Sequence, residues 1–237
     1  MDMRFLFLIL SLFYFQSAKS QTFEYPKLTV QGNTIAKLIP NNWVAIDTIY
    51  GDLNNDRLED LVLVLEFKDA IHEVRAYGDA DTEIIKEFQK PRILAIYFKN
   101  AQNQYVFALQ NNNFILREKE GGVYGDPYQG ISIANNTLNL NFVGGSNWRW
   151  KLDYHFKYQR HDWILVAAKN RYYHNTSGEL DEKDYNFITK KVSETSGNFK
   201  EDNASQTVTK ELHFTQLRTF STFKKPWTWE IMKDSFL

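Results

Sequence analysis

Within nine consecutive residues, Asp52, Asn54, Asp56 and Asp60 stand at positions 1, 3, 5 and 9, and the backbone carbonyl of Leu58 falls at position 7. In a tight loop this spacing turns side-chain and carbonyl oxygens toward one point, as a hard cation requires. Calcium takes about six to eight oxygen ligands, so these five, completed by water, suit it; magnesium, with fewer protein ligands and a stricter octahedron, suits the loop less well. Position 12 is Leu63, where a helix-loop-helix calcium site needs a bidentate glutamate, so the loop is not of that kind. The same residue types also favour turns without any metal, because Asp and Asn side chains bond nearby backbone. Two readings therefore stand: a calcium loop, or an acidic turn between strands. Nothing close by in sequence would activate a bound metal, so a metal here is expected to stabilise the fold rather than catalyse.

Other reactive arrangements are missing. The five histidines, at 72, 155, 161, 174 and 213, lack metal-ligand spacing, and there is no cysteine, no nucleophile elbow and no phosphate-binding loop. His155 falls on the polar side of an alternating strand and reads as surface. Acidic residues are plentiful, but a glycosidase pair of carboxylates would meet only in the fold. Two glycine clusters, 121–127 and 144–150, flank strands and carry Tyr124, Trp148 and Trp150. They read as turns with core aromatics, the alternative being a rim on which these rings and Tyr128 stack a sugar or peptide.

The stretch Gly51 to Leu65, in which the acidic loop leads into an apolar strand, resembles the FG-GAP or VCBS-type repeat, whose loop runs Asp-x-Asn-x-Asp-Gly-x-x-Asp. The resemblance covers about residues 40 to 65 and implies calcium binding of the kind found in extracellular β-propellers of adhesion proteins and secreted enzymes. Two departures matter. Arg57 replaces the family's glycine, at a position where a non-glycine residue is strained, and a single copy is visible, so the repeated architecture does not carry over.

The elements that must position these residues read as strands. After a turn at 39–42, Trp43, Ala45 and Asp47 begin one. Leu61 to Leu65 is a continuous apolar run, read as a strand buried on both faces. The polar segment 68–90 admits at most one short helix, ended by Pro91. Further strands are expected at 93–98, 105–109, 114–117, 131–134 and 138–142, the last two joined at Asn135-Asn136-Thr137 as a hairpin. From Trp148 to Tyr158 the even positions are all apolar or aromatic and the odd ones all polar, so this is a long half-buried strand. Arg160-His161-Asp162 turns it into a partner at 163–168. A strand at 185–192, a loop at 193–205 and an unassigned apolar end complete the pass. The expected fold class is all-β, an antiparallel sandwich or barrel-like sheet in one domain from residue 21 to 237.

Arg4, the largely apolar run Phe5 to Phe15 and the small residues Ala18 and Ser20 have the order of a cleavable secretory signal, its run of about 11 residues too short for a membrane-spanning helix. The 237-residue chain is thus expected to be exported, periplasmic or extracellular, with no membrane span after cleavage, and to hold its fold without disulfides. A net charge of −1 provides no basic field for nucleic acid. The expected function is non-catalytic binding of an envelope or extracellular protein or glycan. A secreted hydrolase acting on carbohydrate is the rival.

Overall fold

The computed structural model describes residues 23–77, 83–202 and 204–237, so the leader read at 1 to 20 lies outside the described residues. The strands in chain order begin with β1 (Gln31–Gly32) and, after a helical turn α1 (Ile35–Leu38), β2 (Trp43–Gly51), β3 (Asp60–Phe67), β4 (Ile71–Tyr77), β5 (Glu83–Gln89), β6 (Arg92–Lys99) and β7 (Tyr105–Asn111). They continue with β8 (Tyr128–Ala134), β9 (Thr137–Gly145), β10 (Trp148–Gln159), β11 (Asp162–His174), β12 (Glu179–Asn186), β13 (Lys191–Asn198) and β14 (Gln206–Glu211), and end in a small pair, β15 (Glu230–Met232) and β16 (Ser235–Phe236).

The architecture is all-β and antiparallel, as the alternation predicts. Strands β8 to β14 form one seven-stranded meander, each beside its sequence neighbour, curled into a half-barrel. A five-stranded sheet, in the order β1-β7-β6-β3-β2, packs against it. The turns follow local chemistry. Asn135 and Asn136, at φ 52° and 57°, make the left-handed pair that a two-residue hairpin requires, and Arg160 and His161, at 52° and 65°, do the same between β10 and β11.

Strand β3 is buried on both faces. Leu61, Leu63 and Leu65 pack with Ile93, Ala95 and Tyr97 of β6 under Leu28, Leu38 and Trp43. On the opposite face Val62 and Val64, with Leu94 and Ile96, join the core lined by Leu140, Phe142, Leu152, Tyr154 and Phe156 of the half-barrel. A bulge in β2 between Ala45 and Asp47 breaks the register there, and bulges re-aim side chains. Asp47 Oδ2 accepts from the Tyr128 hydroxyl at 2.7 Å and from the Ile131 amide at 3.3 Å, tying the two sheets together.

Four local expectations need correction. Residues 114–117 are buried but not a strand, because side chains take the place of a ladder: Asn111 Oδ1 accepts from the amides of Asn113 and Phe114, and the Arg117 guanidinium donates to the carbonyls of Asn112 and Ile115. Segment 68–90 holds the hairpin β4–β5 rather than a helix. The run 185–192 contains the β12–β13 turn, where Asn186 Oδ1 accepts the Thr189 amide and Lys190 adopts φ 53°. Much of 193–205 is β13, followed by the edge strand β14, which is exposed along its whole length and so shows no apolar alternation.

Arg117, fully buried, donates to Glu73 at 2.9 Å and to the Tyr25 hydroxyl at 2.7 Å, joining the N-terminal segment, β4 and the buried 114–117 turn. Burial opposes its charge, but Tyr25 and Glu73 outweigh that and leave its pKa raised. Removing one partner of such a pair leaves a buried charge alone. Glu73→Ala is therefore expected to lower unfolding free energy by about 3–5 kcal/mol in urea titration, and Glu73→Gln, which keeps an acceptor for Arg117, should lose less.

Candidate functional site

The acidic loop is the β2–β3 connection. Asp52 accepts the amides of Asn55 (2.7 Å), Asp56 (3.2 Å) and Arg57 (2.9 Å), so one carboxylate gathers the loop around itself. Arg57 has φ 69°, the left-handed conformation expected where the resembling family has glycine. Asn54 Oδ1 accepts the Asp56 amide and Asp56 Oδ1 the Leu58 amide, each within 3.0 Å. Asp60, fully buried, accepts Leu53 N with Oδ2 (2.8 Å) and Lys99 N with Oδ1 (2.9 Å), fastening the loop to the end of β6. The loop also rests on the β8–β9 turn through Asn136 Nδ2, which donates to the Asp52 carbonyl at 2.7 Å.

Among the described residues no three acidic or histidine side chains converge as a metal group. The donor set nonetheless fits a hard cation in type and order. Every oxygen present can accept an N–H and still offer a lone pair. Asp60 is pushed up to about 6, first by burial, against the lowering bonds from the Leu53 and Lys99 amides and with a smaller push from the charge of Asp56.

A second site was not foreseen. The inner face of the half-barrel at β11 and β12 is covered by the C-terminal segment, and between them lies a cavity of about 500 Å³. Tyr172 and Tyr185 line the sheet side, Trp227 and Ser235 the C-terminal side, and Asp181, Lys183 and Asp234 bring charge. Trp227 Nε1 donates to the Tyr172 hydroxyl at 2.9 Å, and its indole stands edge-on to Trp150, centroids 4.8 Å apart. Lys183 Nζ donates to Ser235 Oγ at 3.0 Å, and Tyr185 shares a hydrogen bond with the same oxygen at 3.2 Å. Asn170, 3% exposed, donates through Nδ2 to the Phe236 carbonyl, while its Oδ1 has no hydrogen-bond partner among the described residues. Burial first, then the charge of Asp181, raises Tyr172, against the lowering bond from Trp227; burial pushes Tyr185 up to about 12. Both rings are neutral phenols at physiological pH.

The signal in sequence was a polar residue in an apolar register. Asn170 pairs with Leu152, and Lys183 pairs with Asn170, so both occupy the face that carries Leu152, Tyr154 and Phe156. The glycine clusters are partly corrected. Trp148 is half-exposed, not core, whereas Trp150 is partly buried and lies so close to Gly144 that an added Cβ would sit 2.2 Å from its ring. Tyr124 lies exposed under the Arg149 guanidinium, 4.9 Å from its ring centroid.

Compared with known protein families, curated proteins and solved structures, the chain matches none. No helix among the described residues is long and apolar enough to cross a membrane.

On the opposite face of β10, His155 Nδ1 shares a 2.5 Å hydrogen bond with Asn139 Oδ1, and burial lowers its pKa from 6.5 against the raising charges of Asp153 and Asp184. The folded state then binds this proton less tightly than the unfolded chain, so the stability attached to it is lost as pH falls through 6.5. Between about pH 7.5 and 5.5, His155→Gln should lose less stability in urea than the wild type; equal losses would show that His155 does not contribute.

Proposed function

We propose that the chain is an exported, non-catalytic β-rich binding protein, in which the 52–60 loop takes a structural calcium ion and the half-barrel takes a protein or glycan partner at the cavity under its C-terminal segment. The observation that carries the reading is the cavity of about 500 Å³, whose wall includes Tyr172, Asp181, Lys183, Trp227 and Asn170, the last with a buried Oδ1 that has no hydrogen-bond partner among the described residues. Export rests on the leader at 1 to 20, and calcium on the order of Asp52, Asn54, Asp56, Leu58 and Asp60. Metal would there neutralise carboxylates that otherwise repel.

The rival hydrolase reading draws on Asp181 and Asp234, the carboxylates lining the same cavity. Against it, the cavity's Tyr172 and Tyr185 are phenols pushed upward, which donate hydrogen bonds but do not act as bases near neutral pH. Asp60, whose pKa of about 6 would suit a general acid, is buried in the β2–β3 connection with both oxygens bonded to backbone.

Thermal unfolding in chelator and in millimolar calcium tests the metal. At free calcium about 100 times Kd the wild type should gain about 2.7 kcal/mol, and Asp52→Ala and Asp56→Ala should gain nothing. Equal wild-type midpoints in the two buffers would reduce the loop to an acidic turn.

A further inference from the structure

We propose that the cavity between β11–β12 and the C-terminal segment is a saccharide subsite, an inference that rests on reading the chain as a binding protein. At about 500 Å³ it is in the range of small-ligand pockets, and its walls select among ligand classes by what each would leave unpaired.

Asn170 Oδ1 and the carboxylates of Asp181 and Asp234 accept hydrogen bonds. Tyr172 already accepts from Trp227, so its own hydroxyl hydrogen is a donor, and Lys183 has donor hydrogens beyond the one given to Ser235. Trp227 and Tyr172 add aromatic surface.

An apolar ligand would desolvate these groups without bonding them. An anion would meet two carboxylates, and the one cation among the described lining residues, Lys183, already donates to Ser235. An organic cation would satisfy the carboxylates and the aromatic faces, but would sit beside Lys183 and leave the Tyr172 hydroxyl without an acceptor. A sugar ring satisfies the whole set: its hydroxyls both donate and accept, and its C–H face packs on an indole.

Backbone strain points to the same place. Trp227 is held at φ 64°, a conformation that a bulky residue adopts at a cost of about 1–3 kcal/mol and that gathers at ligand sites. Its ring is held by the edge-on contact with Trp150, the bond to the Tyr172 hydroxyl and the Lys225 ammonium, 5.6 Å from its centroid.

The test is a glycan-array screen of the purified leaderless chain, with hits titrated by tryptophan fluorescence and choline titrated in parallel. The expected result is saturable binding of at least one mono- or oligosaccharide and none of choline. Asn170→Leu and Tyr172→Phe should each weaken it by roughly tenfold or more, as loss of a hydrogen-bond partner in a built site does. Asn170→Leu removes the acceptor together with the Nδ2 bond to the Phe236 carbonyl, so the unfolding midpoint of each variant is measured beside its titration, and weakened binding at a temperature where the variant remains folded separates lost binding from lost folding. No array hit, binding of choline instead, or full affinity in both variants would overturn the saccharide assignment. Turnover of a bound glycan would leave the saccharide class standing and defeat the non-catalytic reading.

Discussion

A curved antiparallel sheet with one apolar face must cover that face, and in a chain without disulfides this burial supplies the main stabilising force. Strand β10 sets the demand. Leu152, Tyr154 and Phe156 are fully buried in a row while Lys151, Asp153, His155 and Lys157 face away. The five-stranded sheet covers part of this face, with Asp47 of β2 bonded to Tyr128 and Ile131 of β8 and Phe98 of β6 against Tyr158 of β10 and Trp163 of β11. Toward β11 to β13 the C-terminal segment covers it.

That segment has little regular structure and is held by side chains. Phe220 stacks on Phe156 with ring centroids 3.8 Å apart, and Phe114 meets Tyr154, Phe156, Phe220 and Phe223 edge-on, so the inner face, the buried 114–117 turn and the C-terminal segment form one aromatic cluster. The Leu165 amide donates to the Arg218 carbonyl at 2.9 Å, and Lys225 pairs with Glu120 at 3.0 Å. Where apolar side chains give way to Asn170, Asp181 and Lys183 the cover no longer fills the space, and the cavity results. The fold and the candidate binding site thus share a cause: the alternation that builds the core is broken at a few inner positions, and those positions line the cavity.

The legible parts of the fold were those whose pattern is local. Alternation at 148–158, the continuous run at 61–65 and the Asn135-Asn136 turn each state their structure within a few residues. What stayed hidden depends on partners far along the chain. Strand β14 is exposed along its length and is held through its ladder with β13, so its side chains carry no pattern. The 114–117 turn looked like a strand because its apolar residues are buried, but its backbone is bonded by Arg117 and Asn111. The cavity was illegible for the same reason: Trp227 meets Tyr172 across 55 positions in sequence, and Ser235 meets Lys183 across 52. The acidic loop could be displayed by the sequence because its residues all lie within nine positions.

If the C-terminal segment is an integral wall of the half-barrel rather than a loosely attached tail, its amides should open only when the whole molecule unfolds. Native-state hydrogen exchange measures this directly at Phe223, Trp229 and Leu237, whose amides are bonded to the carbonyls of Thr219, Leu237 and Trp229. Exchange at these three sites with the same free energy as the central amides of β10 and β11 is the predicted result. Rapid exchange there while β10 and β11 remain protected would contradict it, and with it the account of how the inner face is covered and the cavity formed.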